Sequence, residues 1–161
     1  PLAALEVLVH PQSVVHGMIE FTDGSIIAHM GISDMRQPMS YMLFYPHRQR
    51  NSLPRLDLAK IGRLDFETFD PVRFPMLAIG LDAARRGGKY PALYNAANET
   101  AVELFLENRL PFPGIARTVA AAMELDVPGD FTGLDEVAAI HERGREAVRA
   151  AAAAQYAVQN A

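Results

Sequence analysis

The pattern of apolar and polar positions changes along the chain from the period of strands to the period of helices. In residues 5–9 apolar and polar side chains alternate only partly, which is typical of a strand buried on both faces. A stripe at helical spacing then predicts a short amphipathic helix that ends before Pro46, and its members are Met35, Met39, Met42 and Leu43. Residues 51–71 form a connector of scattered apolar positions and prolines, with a short strand predicted at 64–66.

A hairpin is predicted near the start of the chain. Two apolar runs, residues 14–21 and 25–30, flank Asp23-Gly24, and Asp-Gly between apolar runs is a strong hairpin signal. With Asp23 and Gly24 as a two-residue loop, Thr22 would pair with Ser25, Phe21 with Ile26, Met18 with His29 and His16 with Gly31. The segment that follows Gly31 is therefore expected beside His16.

Residues 72–161 predict four helices joined by short links. The first, about 73–86, should end at Gly87-Gly88, because glycine after a basic last turn favours helix termination. The second spans about 95–108, with its buried side at Ala97, Ala101, Leu104 and Phe105, and the third spans about 115–124.

The fourth helix is predicted to begin at Thr132, with Asp135 completing a capping-box-like pair. Its predicted buried face consists of Leu134, Val137, Ala138, His141 and Val148. The predicted fold class is therefore α+β: a strand and hairpin portion of a catalytic domain at 1–50, the connector at 51–71, and a compact four-helix bundle at 72–161.

Composition narrows the class of protein. With 161 residues, 50% of them apolar and 21% charged, the chain predicts a globular domain or two small units. The absence of cysteine excludes disulfides, thiolate metal sites and thiol nucleophiles. A net charge of −4 argues against nucleic acid or an anionic membrane as the partner, and no apolar run is long enough to cross a membrane, so a soluble protein is expected. The opening lacks a basic region and an initiator Met, which predicts a piece of a longer chain.

The densest polar cluster is His10-Pro11-Gln12-Ser13-Val14-Val15-His16. A hydroxyl and an imidazole three residues apart could bind a polyol or a phosphate, although such clusters are more often structural turns. A hydrolase with Ser13 as nucleophile is disfavoured because the Gly-x-Ser-x-Gly context is missing. The methionine stripe, taken alone, is more typical of a core than of a cofactor contact.

Other motifs fail at their defining residues. The fragment His141-Glu142-x-x-Arg145 lacks the second histidine of a zinc-binding helix. Carboxylates are scattered singly or in helix pairs, which does not predict a metal site. Gly87-Gly88, flanked by basic residues, is more typical of a solvated helix end than of a phosphate nest, and no nucleotide-binding fingerprint is present.

Four segments in order resemble one family: residues 5–16 with their His-Pro-Gln-Ser-Val-Val-His run, Asp23-Gly24-Ser25, Asp34-Met35-Arg36-x-Pro38, and Asn95-Ala96-Ala97-Asn98-Glu99. They are similar to the C-terminal part of the 1-deoxy-D-xylulose 5-phosphate reductoisomerases. The resemblance implies an enzyme of three parts that rearranges this sugar phosphate and reduces it with NADPH to 2-C-methyl-D-erythritol 4-phosphate, an isoprenoid precursor of the methylerythritol phosphate pathway.

The resemblance also implies site residues and partners. Ser13 and His16 match substrate-binding positions, and Met35 matches a methionine beside the nicotinamide ring. Asn95, Asn98 and Glu99 are candidates for polar contacts, without an assigned role. Ser33 stands where the family commonly has proline, which could loosen the Met35 segment. The family implies NADPH, a divalent cation (Mg²⁺ or Mn²⁺), a homodimer, and a location in the bacterial cytoplasm or a plastid.

This chain would lack the NADPH domain and the metal ligands, so we expect it to be inactive alone. The alternative is a non-catalytic binding or assembly module derived from the same enzyme. Because the predicted strands would lose sheet neighbours in isolation, their edges could pair with another copy, and dimerisation or aggregation is expected.

Overall fold

The computed structural model describes residues 2–159, with side chains described through Ala154. The described part of the chain divides into two compact units, one formed by Glu6–Phe69 and the other by residues 2–5 together with 70–159. Strands occur in the first unit and long helices in the second, so the predicted α+β class is confirmed. None of the helices in the described part of the chain is long and apolar enough to span a membrane.

The Glu6–Phe69 unit, here called the strand unit, contains two small antiparallel sheets and two short helices. In chain order its elements are β1 (Leu8–Val9), β2 (Val15–Glu20), β3 (Ile26–Met30), α1 (Arg36–Phe44), α2 (Leu58–Ile61) and β4 (Glu67–Thr68). β1 pairs with β4, and β2 pairs with β3. The sequence predicted neither α2 nor its N-cap, although the Asp57 carboxylate accepts hydrogen bonds from two backbone N–H groups of its first turn.

The strand predicted at 64–66 lies instead at Glu67–Thr68, and that predicted at 5–9 contracts to Leu8–Val9. The reason for the first shift is that side chains occupy the backbone groups of Asp65. Its N–H donates to Oε1 of Gln12 over 3.2 Å, and its carbonyl lies 2.8 Å from Nδ1 of His10. The ladder with β1 therefore begins two residues later, where Glu67 pairs with Val9.

The predicted hairpin forms, but its predicted register is wrong. The loop has three residues, because the Gly24 N–H donates to the Phe21 carbonyl and the Phe21 N–H donates to the Ser25 carbonyl, each over 2.9 Å. Gly24 supplies the left-handed position (φ +81°) that this longer loop requires. Met18 consequently pairs with Ala28 rather than His29.

The second unit, here called the helical unit, holds α3 (Pro75–Arg86), α4 (Tyr90–Leu106), α5 (Phe112–Ala122) and α6 (Leu134–Gln159). α4 packs against the other three, and α5 and α6 pack together. α3 ends where glycine predicted it, at Gly87 with φ +66°. α4 and α5 begin several residues before their predicted starts, because each accepts a proline in its first turn, where no N–H partner is needed.

The predicted buried face of α6 is partly wrong. Leu134 is 86% exposed and Ala138 is exposed, whereas Val148 is fully buried as predicted. The buried line runs through Ile140, Gly144, Val148 and Ala152. The predicted partner of Thr132 also changes, since its N–H donates to Glu136 rather than to Asp135. That hydrogen bond, together with nearby Lys89, lowers the pKa of the Glu136 carboxyl.

Candidate functional site

Ser13 lies in a tight turn that exposes its hydroxyl. The Ser13 N–H donates to the His10 carbonyl over 3.0 Å, and Ser13 takes a left-handed backbone conformation with φ +50°. Such a conformation costs a residue with a Cβ roughly 1–2 kcal/mol, so surrounding contacts must hold it. The turn therefore presents Ser13 at a fixed angle on an exposed edge of the strand unit.

Ser33 supplies contacts that hold Ser13. Its Oγ donates to the Ser13 carbonyl oxygen over 3.1 Å and lies 3.1 Å from the Ser13 Oγ. A hydroxyl has one hydrogen, so while Ser33 donates to the carbonyl, the Ser13 hydroxyl donates to Ser33. The Ser13 oxygen then keeps acceptor capacity toward a ligand.

His16 lies at an irregularity of the hairpin. The strand register shifts between Val15 and Gly17, so His16 has no direct strand partner, and the predicted pairing of His16 with Gly31 is replaced by a side-chain contact. Nε2 of His16 lies 3.2 Å from the Gly31 carbonyl oxygen. Because a carbonyl only accepts, this contact requires the proton on Nε2, and Nδ1 of a neutral ring remains an acceptor.

The segment after Gly31 is attached to the turn that carries Ser13 and His16. The Gly31 N–H donates to the Val14 carbonyl over 2.9 Å. Gly31 is buried, and a Cβ there would lie 2.9 Å from Oε1 of Gln37. The predicted proximity of this segment to His16 is confirmed, although it arises through a bulge and not through the predicted register.

Met35 occupies the position that precedes α1 and is 71% exposed. Asp34 fixes this start, because its carboxylate accepts from the Arg36 backbone N–H over 2.9 Å and from the Arg36 guanidinium over 2.6 Å. These bonds lower the pKa of Asp34 to about 2. The interpretation of the methionine stripe as core is wrong: Met39, Met42 and Leu43 are also more than half exposed, since no described residue covers that face of α1.

The other predicted candidates lie in the helical unit. Nδ2 of Asn95 donates to Oε1 of Glu99 over 3.0 Å, a bond between successive turns on the exposed side of α4. Asn98 is half-buried. The side chains of Asn95 and Glu99 thus have an intrahelical partner in each other.

Sequence reasoning missed two contributors to this arrangement. Ser33, in place of the family's proline, could loosen the Met35 segment, yet its hydroxyl bonds twice to Ser13. Gln12 has no assigned role in the polar run of the sequence, yet its amide contacts both the backbone and the carboxylate of Asp65. The available signal for each was a polar side chain close in sequence to a candidate site residue, since Ser33 lies two residues before Met35 and Gln12 directly precedes Ser13.

The described residues do not form a metal site. No three His, Asp or Glu side chains gather anywhere in the part of the chain whose side chains are described. Asp34, the carboxylate nearest to Met35 in sequence, already bonds to Arg36. Met35 offers a thioether that can lie against an aromatic ring, but one such contact does not hold a dinucleotide.

Comparison with known proteins identifies the family to which this chain belongs. The family model for the DXP reductoisomerase C-terminal domain matches residues 30–147, which begin at the last residue of β3 and include α1, α2, β4 and most of the helical unit. The reductoisomerase of Cupriavidus metallidurans, 45% identical over 150 residues, covers 93% of this chain and 38% of its own length, so its match includes Ser13 and His16. The chain therefore belongs to the 1-deoxy-D-xylulose 5-phosphate reductoisomerase family, as its motifs indicated.

Two curated relatives illustrate the similarity. The reductoisomerase of Methylobacillus flagellatus is 48% identical over 143 residues, covering 87% of this chain and 36% of the relative. That of Ralstonia nicotianae is 48% identical over 145 residues, covering 90% and 37%. The chain thus spans little more than a third of the length of these relatives.

Solved structures of reductoisomerases are also similar to this chain. The Zymomonas mobilis reductoisomerase in complex with NADPH has a TM-score of 0.86 and 40% identity, covering 94% of this chain and 40% of its own. A DOX-P reductoisomerase in complex with NADPH, fosmidomycin and magnesium has a TM-score of 0.82 and 32% identity, covering 90% and 38%.

Proposed function

We propose that this chain is the C-terminal portion of an enzyme that converts 1-deoxy-D-xylulose 5-phosphate to 2-C-methyl-D-erythritol 4-phosphate with NADPH. The observation that carries the proposal is the attachment of the Ser13–His16 turn to the Gly31–Asp34 segment by three side-chain bonds, those from His16 to Gly31 and between Ser13 and Ser33. Ser13 and His16, which suit a polyol, are thereby held beside the segment that carries Met35, which suits the face of a ring.

In this proposal Ser13 and His16 position the substrate. Their free acceptors, the Ser13 oxygen and Nδ1 of His16, suit the hydroxyl hydrogens of a sugar phosphate. Fixing the substrate with such bonds converts a loose encounter into a reactive geometry, which can account for several kcal/mol of a barrier.

Met35 contacts the nicotinamide ring of NADPH in this proposal. Its thioether is exposed, polarisable and held at the start of α1 by the bonds between Asp34 and Arg36. Structural neighbours form complexes with NADPH and with magnesium, and in this proposal NADPH and a divalent cation are held mainly by parts of the enzyme outside this chain. We further propose that the complete enzyme is a homodimer, acts on this small-molecule substrate and works in the cytoplasm.

A chimaera tests the proposal. The part of the Ralstonia nicotianae relative that precedes the matched region is joined to this chain. NADPH oxidation is then followed by the loss of NADPH absorbance, with and without 1-deoxy-D-xylulose 5-phosphate and Mg²⁺ or Mn²⁺. We expect substrate-dependent oxidation by the chimaera and none by the chain alone. Oxidation without substrate, or no oxidation by a folded chimaera that binds NADPH, contradicts the proposal and favours the assembly module.

Matched variants test the three residues. His16→Gln should lower kcat/KM about 100-fold through loss of positioning, and Ser13→Ala about tenfold through loss of one hydrogen bond. The controls are His47→Gln and Ser52→Ala, which alter exposed residues of the same unit. Met35→Leu should raise the KM for NADPH more than Met42→Leu, since both residues are exposed but only Met35 is proposed to meet the ring. If a variant and its control had equal effects, the proposed role of that residue in the site would be wrong.

A further inference from the structure

The strand unit contains a cavity that the proposed function does not use. Its volume is about 720 Å³, and it lies between the end of β3, α1 and the loop at 48–56. Its lining includes Gly31 and Ile32 but not Ser13, His16 or Met35. It is therefore a separate feature of the same unit.

The cavity is lined by cations without carboxylates. Arg48, Arg50 and Arg55 line it, and no aspartate or glutamate does. Across residues 35–56 the sequence has four arginines and no acidic residue, although the whole chain has a net charge of −4. Positive charge is thus concentrated at one place on an otherwise acidic protein, which favours a bound anion.

The three guanidinium groups also lack carboxylate partners among the described residues. Other arginines of the chain bond to nearby acids, as Arg36 does to Asp34 and Arg63 to Asp65. Arg48 instead lies over the Tyr41 ring, 4.3 Å from its centroid. Stacking holds the plane of a guanidinium while its N–H groups stay available at the edge, the geometry used for bidentate contact with phosphate.

Neutral hydrogen-bonding groups complete the lining. Gln37, Ser40, Gln49 and Asn51 provide amides and a hydroxyl beside the arginines. The Asn51 side-chain oxygen already accepts from the Leu53 N–H over 3.1 Å, so its amide N–H₂ remains as a donor. The lining therefore offers many hydrogen-bond donors to an anion.

We propose that this cavity binds a small molecule with two linked phosphate groups. Three guanidinium charges match the charge of a diphosphate better than that of a single phosphate, and the volume admits more than one phosphate. The proposal is independent of the reductoisomerase function, because none of Ser13, His16 and Met35 lines the cavity.

Titration of the 161-residue chain with inorganic pyrophosphate, without divalent metal, tests the proposal. Calorimetry should give one binding site, and backbone amide signals of residues 48–56 should shift in NMR spectra. Orthophosphate should bind at least about tenfold more weakly, since it makes fewer charge-assisted contacts. Equal affinity for both anions, or no saturable binding up to about 10 mM, would overturn the proposal, as would tighter binding of a polyglutamate peptide.

Single variants locate the site. Arg50→Gln and Arg55→Gln, both at exposed positions, should each raise the Kd for pyrophosphate about tenfold, the loss expected for one charge-assisted bond. Arg63→Gln is the matched control, because Arg63 lies in the same unit, outside the lining, and pairs with Asp65. Arg48→Lys keeps the charge but loses stacking and should also weaken binding. If Arg63→Gln weakened binding as much as Arg50→Gln, only diffuse charge attraction would remain and the proposal would be wrong.

Discussion

Replacing Gly144 with alanine should separate the two helices that dominate the helical unit. Gly144 is buried where α6 meets α4. A Cβ at this position would lie 3.0 Å from the Ala96 Cβ and 3.3 Å from both the carbonyl oxygen and a Cδ of Leu93. Carbon atoms prefer about 3.5–4.0 Å, so the added methyl is too close to three atoms at once.

The expected loss of stability follows from what can move. The Leu93 carbonyl and the Ala96 Cβ are fixed to the α4 backbone, so the helices must part by roughly 0.5 Å, and overpacking of this kind costs about 3 kcal/mol at its upper range. Alanine gains about 1 kcal/mol over glycine in a helix. The net loss is about 2 kcal/mol, which corresponds to a fall in Tm of about 4–8 °C for a chain of this size.

The free energy of unfolding is measured by thermal and urea unfolding, followed by circular dichroism at about 222 nm because helices dominate that signal. Gly133→Ala is the control, because a Cβ there meets nothing within 4 Å, and it should change the free energy of unfolding by less than about 0.5 kcal/mol. Adding Ala96→Gly to Gly144→Ala should recover part of the loss, with a coupling of at least about 0.5 kcal/mol. A Gly144→Ala protein as stable as the parent would refute the reasoning.

Three further predictions concern local geometry. Gly88→Ala should destabilise the protein by more than about 2 kcal/mol, because φ is +54° and the Cβ would lie 2.6 Å from the Gly129 carbonyl oxygen. Gly87→Ala has open space but a backbone conformation that essentially only glycine adopts (φ +66°, ψ −158°), so it should lose the conformational part alone, about 1–3 kcal/mol, in the same unfolding assay. The Asp34 carboxyl should titrate near pH 2 by NMR and return toward 3.8 in Arg36→Gln; since its pKa is lowered on folding, its contribution to stability is present above pH 3.8 and is lost as the pH falls toward 2. Ser33→Ala should cost about 0.5–1 kcal/mol and shift the Ser13 and His16 amide signals, whereas Ser52→Ala should do neither.

Local signals in the sequence were most successful in the helical unit. The glycine that ends α3 and the small residues that line α4 follow from rules that need only neighbouring residues. The face of α6 was harder to predict, because Ala138 and Leu134 fit a helical stripe as well as Ile140 and Gly144 do. Close approach to Leu93 and Ala96 selects the second set, and that approach is a tertiary contact.

In the strand unit, long-range contacts decide what a local pattern leaves open. Asp-Gly predicted the hairpin, but loops of two and three residues share that signal, and the register changes with the choice. The approach of Ser13 to Ser33 joins residues that are twenty positions apart, and no spacing rule covers it. The apolar stripe of α1 was periodic as predicted, but periodicity does not state whether a partner is present to cover it.

The pairing of β1 with β4 has a topological consequence. Leu8 and Thr68 lie side by side, and His10 and Gln12 reinforce this junction by bonding to Asp65. The first and last strands of the strand unit therefore lie side by side. Chains tolerate insertions and circular permutation where their ends are close, so loops within 10–65 can lengthen or shorten between homologues without changing the separation of the entry and exit points.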